Sequence, residues 1–112
     1  MVQDSMPSPD EIQIIFCTVP DIDTGEQIAR RLVEQSLAAC VNLIPGVTSV
    51  YRWQGQVETG NEVMMKIKAA RANYARIEST ICSQHPYELP EIIAVSLSNG
   101  LDNYLDWVLE QP

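Results

Sequence analysis

The sequence contains none of the short motifs that usually identify an enzyme or a nucleotide-binding protein. It has no glycine-rich phosphate loop, no Cys-x-x-Cys pair and no Gly-x-Ser-x-Gly elbow. A functional site in this chain therefore has to be assembled from side chains that lie far apart in the sequence. We expect the sequence to define the fold more sharply than the function.

Histidine is scarce, and His85 is the only one in the chain. It lies in the segment 84–91, Gln-His-Pro-Tyr-Glu-Leu-Pro-Glu, which carries two prolines and two carboxylates at a predicted helix-to-strand junction. An imidazole titrates near neutral pH, donates to carbonyls and binds metals, and at a helix end it also serves simply as a cap. His85 is the first candidate for a functional residue, and a capping role is the alternative.

Basic residues are few, since 15 Asp and Glu against 7 Lys and Arg give a formal net charge of −8. This charge would repel a phosphate backbone, so we predict no nucleic-acid partner. An acidic surface attracts cations, but it also serves to keep a protein in solution. The charge therefore permits a role with metal ions without predicting one.

Long apolar runs are also missing, and none approaches the roughly 20 residues that a bilayer span requires. The start, Met1–Glu11, has acids and prolines where a signal peptide has basic and then apolar residues. Cys17, Cys40 and Cys82 are an odd number at wide spacings, which favours buried thiols over a disulfide framework. We expect a cytoplasmic protein with no membrane partner and no structural disulfide.

Strand and helix patterns alternate along the chain, whose 112 residues and 46% hydrophobic content suit one domain. We predict a disordered N-terminal tail over residues 1–10 and a single domain over residues 11–112. Hydrophobic periodicity predicts strands over 12–19, 39–53, 56–69 and 92–97. It also predicts helices from the Asp21 cap to about Leu37 and over 72–84, and a short closing helix after Asn99-Gly100.

This order predicts an α+β fold of the ferredoxin-like βαββαβ type, with two helices backing a four-stranded antiparallel sheet and a third helix at the C-terminus. Pro45-Gly46 predicts a bend or bulge in the second strand, and Gln54-Gly55 predicts a tight turn into the third. The second and third strands are longer than the helices require. Their long hairpin should project past the sheet and leave edges that another copy of the chain covers.

Cys17 and two carboxylates are candidates beside His85. Cys17 on the first strand and His85 would together offer the thiolate and imidazole that copper and zinc favour, and the alternative for Cys17 is a small buried hydrophobe. Glu88 and Glu91 would serve as acid–base partners or oxygen ligands, although two carboxylates at that spacing on a loop are very common. As a nucleophile pair, Cys17 and His85 lack an identifiable oxyanion site and orienting residue, so we predict that the protein is not an enzyme.

The second and third strands carry further candidates. Tyr51 and Trp53 share one face near the hairpin tip, either as ordinary core or as anchors against a neighbouring subunit. On the third strand one face presents Glu62, Met64, Lys66 and Lys68. This face is either a solvated surface with cross-strand ion pairs or a polar cleft between subunits.

Four stretches of the chain resemble the CutA divalent-cation-tolerance family. They are Phe-Cys-Thr-Val-Pro-Asp at 16–21, Leu-Ala-Ala-Cys-Val-Asn-Leu-Ile-Pro-Gly at 37–46, Tyr-Arg-Trp-Gln-Gly at 51–55 with Glu58 and Glu62, and His-Pro-Tyr-Glu-Leu-Pro-Glu at 85–91. The resemblance runs from Ile12 to Leu109 without a large gap. It implies a ferredoxin-like subunit in a homotrimer of PII-like architecture, cytoplasmic and linked to copper and divalent-metal tolerance.

The resemblance also implies site residues. The copper ligands proposed for the family fall on Cys17 and His85, and where some members have a second histidine this chain has Gln84, a poorer copper ligand. The polar cleft of the family corresponds to Tyr51, Trp53, Glu62, Lys68, Tyr87 and Glu91. We expect a homotrimer that binds copper weakly and has divalent metal ions as partners. The alternative is a PII-like module that binds a small ligand or a protein in the cleft between subunits.

Overall fold

Strands and helices follow one another in the predicted order. The structure, a computed structural model, describes residues 8–110 of the chain. A 3-10 turn (Pro9–Glu11) leads into β1 (Ile12–Val19), α1 (Ile22–Glu34), β2 (Cys40–Trp53) and β3 (Gln56–Ala70). A second 3-10 turn (Arg71–Asn73) leads into α2 (Tyr74–Gln84), β4 (Ile92–Ser96) and α3 (Asp102–Glu110).

The four strands form one sheet in the order β2-β3-β1-β4, and every neighbouring pair is antiparallel. This is the predicted α+β ferredoxin-like sandwich, with the long β2–β3 hairpin and the C-terminal helix, so the predicted fold class is confirmed. Two edges of the sheet stay unpaired within the described chain, the outer sides of β2 and β4.

The main core lies between the sheet and the helices α1 and α2. Alternate residues of the two central strands point into it, in agreement with the period of two expected for a half-buried sheet. It contains Ile15 and Cys17 of β1, Met65 and Ile67 of β3, Ile28 and Leu32 of α1, and Ile77 and Ile81 of α2. The other face of the sheet, called the open face here, carries Phe16, Thr18, Met64 and Lys66.

The helix α3 covers only one end of the open face. Leu105 and Val108 pack on Ile12 there and form a second, smaller core. Farther along the sheet, Ile93 and Val95 of the edge strand remain 55% and 51% exposed. The open face is therefore largely uncovered in this chain, with exposed apolar side chains on its edge strand.

The first helix begins as predicted and ends earlier than predicted. The side chain of Asp21 accepts a hydrogen bond of 2.8 Å from the Thr24 N–H, as an N-cap should. At the other end Ser36 adopts a left-handed φ of 59°, and Leu37 donates to the carbonyl of Leu32. The predicted end near Leu37 was wrong, because this Schellman-type reversal buries Leu37 from outside the helix.

The hairpin connection agrees with its predicted turn. Gln54 and Gly55 have φ values of 51° and 81°, and two positive φ angles define the type I′ turn that matches the twist of paired strands. The ladder runs to Trp53 opposite Gln56. The projecting hairpin makes the subunit 58 Å long but only 26 Å wide.

The structure describes only part of the segment predicted to be an N-terminal tail. Residues 1–7 and 111–112 lie outside the described residues, so a tail over 1–10 and a domain over 11–112 stay predictions. The described part begins at Ser8, whose N–H donates to Glu11. Arg71 donates to the carbonyl of Asp10 at 2.9 Å and so attaches the 3-10 turn to the domain. No helix within 8–110 is long and apolar enough to cross a membrane.

Candidate functional site

A bulge in β2 determines which hairpin side chains face the site. Ile44 pairs with Met64 but Val47 pairs with Glu62, so β2 holds one more residue than β3 between these pairs. Strict alternation from Ile44 would place Val50 and Arg52 on the open face, whereas the extra residue brings Tyr51 and Trp53 there. The predicted bulge is confirmed. Gly46, with a φ of +79°, supplies a backbone conformation that other residues rarely adopt.

A cavity of about 780 Å³ lies between the hairpin and the segment 86–91. We call it the hairpin cleft. Five of the six residues predicted for a ligand cleft line it, namely Tyr51, Trp53, Glu62, Tyr87 and Glu91. The sixth, Lys68, lies elsewhere, with its ammonium 5.7 Å from the ring centre of Tyr104 on α3.

Thr18 and Glu88 are two of the six lining residues that the sequence did not assign to the cleft, and the others are Ser49, Val50, Pro86 and Leu89. The sequence placed Thr18 in the buried strand β1, and the structure confirms that Thr18 is only 5% exposed, although it also lines the cleft. The signal was present in the alternation of β1, because Thr18 falls on the opposite face from Cys17 and Val19. Glu88 had been singled out as a loop carboxylate but was not among the six residues predicted for the ligand cleft.

Tyr87 joins the loop to the hairpin side of the cleft. Its hydroxyl donates a 2.8 Å hydrogen bond to Oε2 of Glu62. Burial of the phenol, reinforced by the Glu62 carboxylate, raises the pKa of Tyr87 above its ordinary value of 10.0. The phenol therefore stays protonated at neutral pH, and it keeps the donor that orients Glu62.

Both ring nitrogens of His85 are engaged. Nε2 lies 2.7 Å from the carbonyl oxygen of Thr18, and Nδ1 accepts a 3.1 Å hydrogen bond from the Tyr87 N–H. Because a carbonyl only accepts, the proton must reside on Nε2, and the imidazole is neutral. The two rings of His85 and Tyr87 also pack at a centroid distance of 4.6 Å. In this state His85 positions Tyr87 beside the cleft.

His85 is also the C-cap residue of α2, and its N–H donates to Ile81 at 2.8 Å. The predicted end of α2 at His85-Pro86 is confirmed. The ladder between β1 and β4 ends at the pair of Cys17 and Ile92, one residue before Thr18. The His85 imidazole therefore donates to the Thr18 carbonyl of β1, which lies beyond the end of that ladder.

Cys17 and His85 both contact the carbonyl oxygen of Thr18. Cys17 Sγ lies 3.7 Å from the same Thr18 carbonyl oxygen to which His85 donates. Burial, with the nearby Glu91 carboxylate as the next cause, raises the pKa of the Cys17 thiol to about 12. The pair is therefore adjacent as predicted, but the sulfur is a protonated thiol and neither imidazole nitrogen has an unused lone pair.

The residue before His85 does not supply a replacement ligand. The side-chain nitrogen of Gln84 is buried and has no hydrogen-bond partner among residues 8–110. Within the same described range no group of three or more His, Cys, Asp or Glu residues is arranged to hold a metal ion. The donor set at Cys17 and His85 does not fit a tightly held copper ion in this conformation.

Cys17 is expected to be inert toward thiol reagents in the folded protein. At pH 8 a thiol with a pKa near 12 is thiolate in only about one part in 10⁴, and the thiolate is the reacting form. A variant that retains only Cys17 (Cys40→Ser with Cys82→Ser) should react with Ellman's reagent only after unfolding. A variant that retains only the exposed Cys82 is the control, and equal rates for the two folded variants would contradict the burial of Cys17.

Together, the fold and the cleft define a ferredoxin-like α+β domain whose extended hairpin forms one wall of a ligand-sized cavity. Residues 13–111 match the family model of the CutA1 divalent ion tolerance protein. The chain belongs to this CutA1 family, which confirms the resemblance noted in the sequence. The family is described by ion tolerance and not by a catalysed reaction, in agreement with the prediction that the chain is not an enzyme.

A relative from Thermus thermophilus is similar over nearly the whole chain. The chain is 40% identical over 98 residues to the divalent-cation tolerance protein CutA of Thermus thermophilus, covering 88% of this chain and 95% of that protein. A solved structure of that organism's divalent cation tolerance protein superposes with a TM-score of 0.87, at 39% identity over 89% of this chain and 97% of the other.

Two further relatives add information on class and compartment. The PII-like protein CutA of Nostoc, solved in its apo form, is 40% identical with a TM-score of 0.82 and coverages of 88% and 95%. The chloroplastic protein CutA of Arabidopsis thaliana is 36% identical over 85% of this chain, which spans only 52% of that longer protein. The chain is thus a PII-like protein of the CutA1 family.

Proposed function

We propose that this chain forms a homotrimer in which the hairpin cleft binds a small ligand and so links the protein to the response to divalent cations. The observation that carries the proposal is the cleft itself, about 780 Å³ in volume and lined by five residues that the family resemblance had nominated. A ligand cavity of this volume lies within the range usual for small-molecule sites. This function corresponds to the PII-like alternative drawn from the sequence.

The case for a trimer rests on uncovered surface. The outer edges of β2 and β4 are unpaired among the described residues, and unpaired edges are commonly protected by other chains. Apolar side chains lie exposed along the hairpin and the open face, including Val50, Val57, Ile93 and Val95. Ile93 and Val95 lie together on the open face, and an exposed apolar patch of this kind marks a candidate interface.

Light scattering of the purified, untagged protein tests the assembly. We expect a mass of about three times 12.5 kDa. A monomer at micromolar concentration would contradict the trimer and would leave the cleft as a feature of single subunits.

Ligand binding is tested separately from assembly. Metal-free protein should be stabilised thermally by a small molecule, because a ligand that binds only the folded state raises the melting temperature. If divalent cations alone stabilise the protein and a small-molecule screen does not, the cleft function is wrong. The compartment in which this takes place is proposed to be the cytoplasm, although one relative is described as chloroplastic.

A copper site at Cys17 and His85 is the second candidate, favoured by the convergence of both side chains on the Thr18 carbonyl. We infer that binding there is weak, because copper would have to displace a proton from a buried thiol and break a 2.7 Å hydrogen bond of His85. Calorimetric titration of reduced protein with Cu(I) and Cu(II) tests this inference. Cys17→Ser and His85→Ala should each abolish binding, and Gln84→His should tighten it.

The outcome of that titration separates specific from general capture. Should Cys17→Ser and His85→Ala bind copper as tightly as the unmodified protein, the ions are held elsewhere on the acidic surface. The copper site proposed here would then be wrong, and the cleft proposal would be unaffected.

A further inference from the structure

We propose that the hairpin cleft recognises an organic ammonium ion, which its carboxylates, its aromatic rings and the hydroxyl of Thr18 hold together. The inference rests on the proposed function, since it names the chemical class of ligand for the same cleft.

The charges around the cleft all have one sign. Its charged lining residues are Glu62, Glu88 and Glu91, and no Lys, Arg or His of the described range lines it. The chain as a whole carries a formal net charge of −8. A concave surface lined by one sign of charge raises the local concentration of oppositely charged ligands. The cleft therefore favours a cation and disfavours a carboxylate or phosphate.

Aromatic rings supply a second recognition element. Tyr51, Trp53 and Tyr87 line the cleft from two sides, and in the single chain the first two remain 48% and 38% exposed, so part of each ring faces the cleft. The face of an aromatic ring attracts ammonium groups, and Trp does so most strongly. The same rings also offer apolar contact to the hydrocarbon body of an organic cation, which a hydrated inorganic ion cannot use.

Thr18 provides the most specific element. Its residue is 5% exposed and lines the cleft, and its carbonyl oxygen is occupied by His85 and Cys17. The hydroxyl of this cleft-lining residue can accept an N–H from a ligand. Glu62 adds a further acceptor, because Tyr87 occupies only its Oε2.

The spacing of the carboxylates argues against a bare metal ion in the same place. Calcium takes six to eight oxygen ligands and magnesium requires near-octahedral geometry. The described residues contain no group of three carboxylates, thiols or imidazoles close enough to hold an ion. A cation with an organic body can instead contact the rings and carboxylates from the interior of a cavity of this volume.

The test compares three probes with the same phenyl body and different head groups, namely phenethylammonium, phenethyl alcohol and 3-phenylpropionate. Calorimetry on the intact, metal-free protein should show that phenethylammonium binds about tenfold or more tightly than the neutral alcohol, and that the anion binds least. Equal affinity for the three probes, or tightest binding of the anion, would overturn the inference.

Two variants locate the binding. Glu62→Gln keeps an acceptor for Tyr87 but removes the charge, and it should weaken phenethylammonium binding about tenfold. Glu34→Gln, which makes the same change on the exposed end of α1, is the matched control and should bind as the unmodified protein does. Thr18→Val should also weaken binding, and Thr18→Ser should restore it. Loss of affinity in the control, or none in Glu62→Gln, would place the ammonium ion outside the cleft.

The failure of this inference can be told apart from the failure of the proposed function. If another small molecule stabilises the trimer while phenethylammonium does not bind, the ammonium inference is wrong and the ligand-binding function stands. If Glu62→Gln dissociates the trimer and none of the probes binds, Glu62 contacts a basic side chain of a second copy. The ammonium inference and the ligand-binding function would then both be wrong.

Discussion

Replacement of Met65 by alanine is expected to lower the free energy of unfolding by about 2–5 kcal/mol, the cost usual for removing a large side chain from a closed core. Met65 is fully buried on the central strand β3, and its Cα partners are Cys17 and Leu43 on the two neighbouring strands. Chemical denaturation monitored by circular dichroism measures the effect.

The neighbouring methionine is a control of the same residue type. Met64 is only half-buried and points to the open face, so Met64→Ala should cost clearly less than Met65→Ala at the same protein concentration. Equal losses for the two variants would contradict the assignment of Met65 to the core and of Met64 to the open face.

Replacement of Trp53 by alanine is expected to weaken the proposed trimer by about 2 kcal/mol or more, because aromatic anchors at interfaces often carry energies of that size. Trp53 lies at the end of β2 with 38% of its surface exposed in the single subunit. Sedimentation or light scattering across a dilution series would show dissociation of the variant at a higher concentration than the unmodified protein.

Arg52 provides the control for Trp53. It is the preceding residue on β2 and faces the opposite side of the hairpin, so Arg52→Ala removes a large side chain without touching the open face. An unchanged trimer of equal thermal stability in Trp53→Ala would show that Trp53 is peripheral to the interface.

The strands were predictable from the sequence because burial of one face imposes a period of two. Val63, Met65 and Ile67 alternate with polar or half-buried residues, and the structure buries these three. The end of α1 was harder to predict. A left-handed residue at a helix end is usually glycine, and here it is Ser36, so the apolar spacing through Leu37 predicted a longer helix.

The sequence predicted most of the polar and aromatic residues that line the cleft, but it did not predict the hydrogen bonds between them. Lys68 and Glu62 share a face of β3, yet they lie six positions apart along the strand, or roughly 20 Å, so only Glu62 reaches the cleft. The bond between His85 and the Thr18 carbonyl joins residues 67 positions apart. No local pattern shows which backbone carbonyl a distant imidazole will meet, and the engagement of both its nitrogens required the three-dimensional structure.

The bulge at Pro45-Gly46 makes this part of the chain tolerant of shortening. The type I′ turn fixes the pairing of Tyr51 with Glu58 at one end of the hairpin, and the core fixes the pairing of Ile44 with Met64 at the other. A deletion of one residue between these points can be absorbed by regularising the ladder, and Tyr51 and Trp53 would keep their side. An inserted residue cannot be absorbed in this way, because it must either enlarge the bulge or turn Tyr51 and Trp53 to the face away from Glu62. Length variation among relatives is therefore expected to run in one direction here, toward the loss of a residue.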